Sequence, residues 1–138
     1  MIKSFEDLDV WKRAARLAVD VYKAFMDCKD FGFKDQVTRS AVSIASNIAE
    51  GYDRGSNNEF LRFLRIAKGS CGELRTQLYI ALEIGYLGEE EGRRLIGETR
   101  EISSMLGGLI KTRRERFRTN VAGLSSLKRY FSLHLPLS

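Results

Sequence analysis

Proline is almost missing: the single one, Pro136, stands third from the end of 138 residues, so no ring interrupts a helical ladder before it. Histidine occurs once, at His134, which leaves the body of the chain without the base of a Ser/His/Asp or Cys/His arrangement. A di-iron bundle needs Glu-x-x-His pairs, and the residue three before His134 is Phe131. Two cysteines, Cys28 and Cys71, build neither a disulfide framework nor a Cys-rich metal site; they read as small buried hydrophobes in a reducing, cytoplasmic setting. The longest uncharged run, residues 40–49, is too short to span a membrane, and residues 1–10 have no apolar export segment. No phosphate loop of the G-x-x-x-x-G-K-[ST] type occurs; Gly69 and Gly72 fall inside a helical pattern, where they read as close-packing residues. Glu50 and Glu73 fit ion pairs with the likes of Arg39 and Arg75 better than acid/base chemistry. These absences predict a protein that is not an enzyme and holds no metal or cofactor.

What is present is a globular mixture, 43% apolar and 30% charged, with room for one domain. The net charge of +5 is uneven: residues 111–138 hold 7 Lys/Arg against 1 acid, whereas residues 1–110 hold 16 against 17. A basic tail follows a neutral body.

Apolar residues at three- and four-residue steps mark four helices. The first, over 7–26, has the row Leu8, Trp11, Ala15, Ala18, Tyr22 and Phe25. The second, over 33–50, has Phe33, Val37, Ala41, Ile44 and Ile48, with Gly51 positioned to end it. Ser56 and Glu59 then form a capping box for a third helix with Phe60, Leu64, Ala67, Cys71, Leu74, Leu78 and Ala81 inward, stopped by Gly85. The fourth starts near residues 88–91, turns Leu95, Thr99, Ile102, Leu106 and Leu109 inward, and brings Lys111, Arg113 and Arg114 to its negative end. Short connectors make this an up-down-up-down four-helix bundle over residues 1–118. Residues 119–138 stay unassigned; Val121, Leu124, Leu127 and Phe131 suit either a short helix or a packing arm.

Two patterns exceed what a bundle core requires. The third helix carries a second row, Arg62, Ile66, Gly69, Glu73, Ile80 and Ile84, which predicts an oligomer seam in which Arg62 and Glu73 of identical chains pair self-complementarily. The alternative is a long helix buried among three neighbours in a monomer. The second helix carries a polar stripe, Gln36, Arg39, Ser43, Asn47 and Glu50, prolonged by Tyr52, Asp53 and Arg54. It fits a buried hydrogen-bond network of Gln36, Ser43, Asn47 and Glu50 that fixes register, or a surface where Arg39, Arg54 and Tyr52 meet phosphates and a stacked base.

Together Asp9-Val10-Trp11, Arg39-Ser40-Ala41, Asn47-Ile48-Ala49-Glu50-Gly51-Tyr52, Glu59-Phe60, Gly69-Ser70, Glu73-Leu74, Gln77-Leu78 and Gly85-Tyr86 resemble the bacterial four-helix-bundle proteins encoded in 23S ribosomal RNA intervening sequences. The likeness covers roughly residues 5–115; Ala45 replaces a frequent proline and Arg75 a common acid. The resemblance implies a homopentameric barrel without known catalysis. Through the accessory variability determinant of diversity-generating retroelements, placed in the same superfamily, it also implies association with nucleic acid and a reverse transcriptase. The resulting expectation is a cytoplasmic, non-membrane, self-assembling adaptor that contacts structured RNA or DNA through Arg39, Arg54, Lys111, Arg113, Arg114, Arg116 and Arg118. The alternative is a purely protein-binding oligomeric scaffold, with residues 121–131 as its docking arm.

Overall fold

The computed structural model describes residues 1–134, and of residues 117–121 and 124–134 only the backbone. Among the described residues there are four α-helices and no strand: α1 (Asp9–Ala24), α2 (Phe31–Asp53), α3 (Asn57–Glu83) and α4 (Glu89–His134), preceded by a 3-10 turn, Phe5–Asp7. Each helix packs on its neighbour in sequence and α1 closes the square against α4, which is the up-down-up-down arrangement. No described helix is long and apolar enough to cross a membrane.

The α3 core row lies where its spacing put it: Leu64, Ala67, Cys71, Leu74, Leu78 and Ala81 are wholly buried, and Phe60 nearly so. Burial pushes the Cys71 thiol up to about 11, so it stays protonated as one more apolar group. On α4, Leu95, Thr99, Ile102 and Leu106 are wholly buried, and the Thr99 hydroxyl donates to the Ile96 carbonyl at 2.6 Å. Gly85, with φ of 81°, ends α3 as expected.

Four details differ. The core row of α1 is Val10, Ala14, Leu17, Ala18 and Val21, while Trp11 and Ala15 are half-buried and Tyr22 is exposed. The rotation is fixed from the α4 side, where Arg13 meets Glu98 through two 2.8 Å hydrogen bonds and Asp20 meets Arg94 at 3.4 Å. Gly51 does not end α2. It is buried inside the helix, where a Cβ would stand 2.5 Å from the Phe63 Cβ, so the glycine serves close approach of α2 and α3; the turn comes at Gly55, with φ of 81°. Only half of the capping box forms: Ser56 Oγ accepts from the Glu59 amide at 3.2 Å, but the Glu59 carboxylate turns to Arg62, 3.7 Å away. Finally, Lys111, Arg113 and Arg114 are not at a helix end, because α4 runs on to His134. Asn57, at the start of α3, donates to the Arg113 carbonyl, so Arg113 marks the level at which the partner helix begins. Beyond it α4 has about 20 further residues, or about 30 Å at the helical rise.

Candidate functional site

On the outer side of the α2–α3 pair, Ser43 Oγ and Ser70 Oγ lie 2.9 Å apart, and Asn47 Nδ2 donates to the Ser43 carbonyl at 2.7 Å and to Ser43 Oγ at 2.9 Å. This three-residue network ties α2 to α3. Glu50 is not part of it; the exposed carboxylate pairs with Arg54 at 2.8 Å. Gln36 lines a shallow cleft of about 270 Å³ with Arg39, Ser40, Ser43 and Glu73. The polar stripe therefore divides into a seam, a cleft and a surface ion pair. Sequence reasoning missed Ser70 and Gln77, both buried on α3; their seven-residue interval puts them on one line of the helix.

The α3 row flanks the same surface. Ile66 is 42% exposed, Ile80 46% and Ile84 53%, and Arg62, Gly69 and Glu73 are exposed beside them. Among the described residues, none covers these isoleucines fully. Arg62 is engaged at home, over the Phe63 ring at 4.9 Å and against Glu59.

The candidate nucleic-acid residues are not all brought together. Arg39 pairs with Asp35 at 3.0 Å and lies fifteen residues before Arg54 on α2, about 22 Å along the axis. At the far end a cleft of about 280 Å³ is lined by Tyr52, Gly55, Ser56, Asn57, Phe60 and Arg113. The Arg113 guanidinium lies 5.0 Å from the centre of the Phe60 ring, and Tyr52 meets the same ring edge-on at 5.8 Å. Arg54 lies 5.1 Å from the Phe63 ring; its bond to Glu50 holds its pKa above the ordinary guanidinium value. Asn57 Oδ1 is buried at this cleft and has no hydrogen-bond partner among the described residues. Lys111, Arg114 and Arg116 are exposed on α4 nearby, and the Arg118 side chain lies outside the described residues.

Chemically, this end offers aromatic surface, guanidinium groups set against it, and the amide-bearing start of α3, whose positive dipole end favours an anion. Such a combination suits a phosphate next to a planar base.

Comparison with known proteins follows this geometry. The family model described as 23S rRNA-intervening sequence protein matches residues 6–108. Among solved structures, a protein of unknown function from the S23 ribosomal protein family of Bacteroides thetaiotaomicron aligns with 27% identity and a TM-score of 0.70, over 74% of this chain and 98% of its own. No curated protein matches. With three quarters of its length inside the family's bounds and the same helical frame, the chain belongs to the 23S rRNA-intervening sequence proteins.

Proposed function

We propose that this chain is a non-catalytic, self-assembling adaptor that holds structured RNA at the Arg113 end of its bundle. The observation that carries the proposal is Arg113 packed on Phe60 at the mouth of the Tyr52 cleft, with Lys111, Arg114 and Arg116 on the same helix. Cations on α4 supply salt-sensitive phosphate contacts, and the aromatic cleft accepts an unpaired base from a loop or bulge. Self-assembly is supported by the half-exposed Ile66, Ile80 and Ile84. Copies joined along that row present several basic ends at once, so that weak contacts add by avidity. Five copies, the number the resemblance implies, would give light scattering a mass five times 15.7 kDa.

Fluorescence anisotropy with a labelled RNA stem-loop, read from about 50 to 200 mM salt, tests the RNA arm. Binding should weaken steeply with salt, and the change of Arg113, Arg114, Arg116 and Arg118 to Ala should lower the log–log salt slope by about three. Tyr52→Ala should weaken a stem-loop more than a blunt duplex. Absence of binding at the lowest salt would remove the RNA arm and leave a protein-only scaffold.

A further inference from the structure

The near-neutral body of the chain hides a one-sided face. Two contacts show which flanks of α3 and α4 meet at the surface: Lys68 Nζ reaches to 3.8 Å from where a Gly107 Cβ would stand, and the Arg100 guanidinium donates to the Tyr79 hydroxyl. On α3, Arg65, Lys68, Arg75 and Tyr79 follow at steps of three, seven and four, and on α4, Arg100, Gly107, Lys111 and Arg114 follow at steps of seven, four and three. Steps of this kind keep each row on one line of its helix, so the two rows border one groove. Each runs about 21 Å at the helical rise, with the helix axes about 8–10 Å apart.

The groove holds six cations, Arg65, Lys68, Arg75, Arg100, Lys111 and Arg114, and among the described residues none of them forms an ion pair. Five are exposed, and Arg75 Nε is buried without a hydrogen-bond partner among the described residues. The acids of the two helices are largely spent elsewhere. Glu98 and Glu101 act on Arg13 of α1, Glu73 lines the cleft beside α2, and Glu89 holds Arg93 beyond Tyr79, next to Glu83. Glu115 adjoins Lys111 and Arg114 on α4. Neither row exposes a large apolar side chain other than Tyr79, and Gly72, Ser104 and Gly107 leave the space between the cations clear. A protein partner needs apolar anchors, which this face lacks, whereas a phosphate backbone needs positive charge alone.

We infer that the α3–α4 groove is the seat of a double-stranded RNA stem, one strand of which runs along it from the Arg113 end toward Tyr79; this rests on the RNA reading above and specifies which part of the RNA lies where. The groove opens at that end, because Lys111 and Arg114 flank Arg113 on α4 and Asn57 bonds the Arg113 carbonyl. An unpaired base in the Tyr52 cleft therefore leaves the adjoining stem over Lys111, Lys68, Arg100 and Arg75 in turn. At about 3.4 Å per step of a strand, 21 Å of groove covers about six nucleotides. Cations set in rows, with no donor and acceptor pattern between them, meet phosphates and read no sequence. The groove thus recognises a stem by its backbone, and the cleft adds the requirement for an unpaired base beside it.

The test uses the full chain and two variants of equal net charge, each changed only at exposed positions: Arg65→Gln/Lys68→Gln/Arg100→Gln in the groove and Lys12→Gln/Arg16→Gln/Lys23→Gln on α1, with circular dichroism confirming wild-type helicity. Anisotropy with a stem-loop of about twelve base pairs, read across salt, should show a log–log slope lower by about three for the groove variant and unchanged for the α1 variant. Hydroxyl-radical footprinting on the wild-type complex should show protection running from the loop into about six nucleotides of one strand of the stem. A groove variant with the wild-type slope, an α1 variant whose slope falls equally, or protection confined to the loop overturns the groove while leaving RNA at the Arg113 end standing. A wild-type chain that binds no RNA at the lowest salt overturns the RNA reading and the groove with it.

Discussion

α1 and α3 are both apolar on two sides, yet they announce their inner side differently. On α3 the outer row is broken by Arg62, Gly69 and Glu73, so the unbroken row, Leu64 to Ala81, is recognisably the core. On α1 the outer row includes Trp11, Ala15 and Tyr22, residues as apolar as the true core residues Ala14, Leu17 and Val21. Hydrophobic periodicity finds both helices, but on α1 it cannot say which side turns inward. Arg13 and Asp20, bonded to Glu98 and Arg94 across 85 and 74 residues of sequence, decide it.

The sharpest way to break this comparison is to truncate one residue from each row of α1. Leu17 is wholly buried, and Leu17→Ala should cost about 2–5 kcal/mol through lost burial and the cavity left behind. Tyr22→Ala should change the stability of the isolated chain by no more than about 0.5 kcal/mol. Urea denaturation of both variants checks the ordering. Equal losses would mean that α1 is rotated from the position described.

A second contrast concerns two glycines on the α2–α3 pair. A methyl group at Gly51 would collide with Phe63, so Gly51→Ala should cost about 1–3 kcal/mol by overpacking. Gly69 has open space around it, and Gly69→Ala should stabilise the single chain by up to about 1 kcal/mol through helix propensity. If the α3 row is a subunit seam, the same change should also weaken assembly. Thermal melts at low and high protein concentration separate the two effects.

These positions show what the sequence could disclose. Helix number, topology and the cores of α3 and α4 were legible because spacing alone determines them. Gly51 was not, since a glycine after an apolar row is equally suited to a helix stop and to a close crossing; Phe63, on another helix, decides. The polar stripe on α2 was visible, but its partner Ser70 lies 27 residues away, and only the crossing of α2 with α3 brings the hydroxyls together. The basic cluster of α4 resembled a helix end because cations favour one; the chain instead continues its helix there. In the candidate cleft, Tyr52 and Arg113 were picked out as residue types, whereas Phe60, read as core only, also serves as the ring beneath Arg113.

The smallest expected effect lies where the outer row of α1 ends. Asp30 Oδ1 accepts from the Phe33 amide at 3.1 Å, capping α2, and Oδ2 accepts from the Tyr86 hydroxyl at 2.8 Å, tying the α3–α4 turn to the α1–α2 turn. The Phe33 amide first, and Tyr86 second, hold the Asp30 carboxyl below its ordinary value of 3.8. A lowered folded value means that the unfolded chain takes up the proton first as pH falls. The contribution of Asp30 is therefore complete above the ordinary carboxylate range and disappears as pH drops through the folded value. Asp30→Asn keeps an oxygen that can cap α2 but cannot accept both bonds as a carboxylate does. It should be slightly less stable than wild type at neutral pH, with the difference shrinking below the ordinary carboxylate range, as read by urea midpoints from neutral to strongly acidic pH. Because Asp30 is exposed, water and salt screen these bonds, and the gap should be far smaller than that of Leu17→Ala. A gap unchanged by acid would mean that the tie depends on the shape of the side chain and not on its charge.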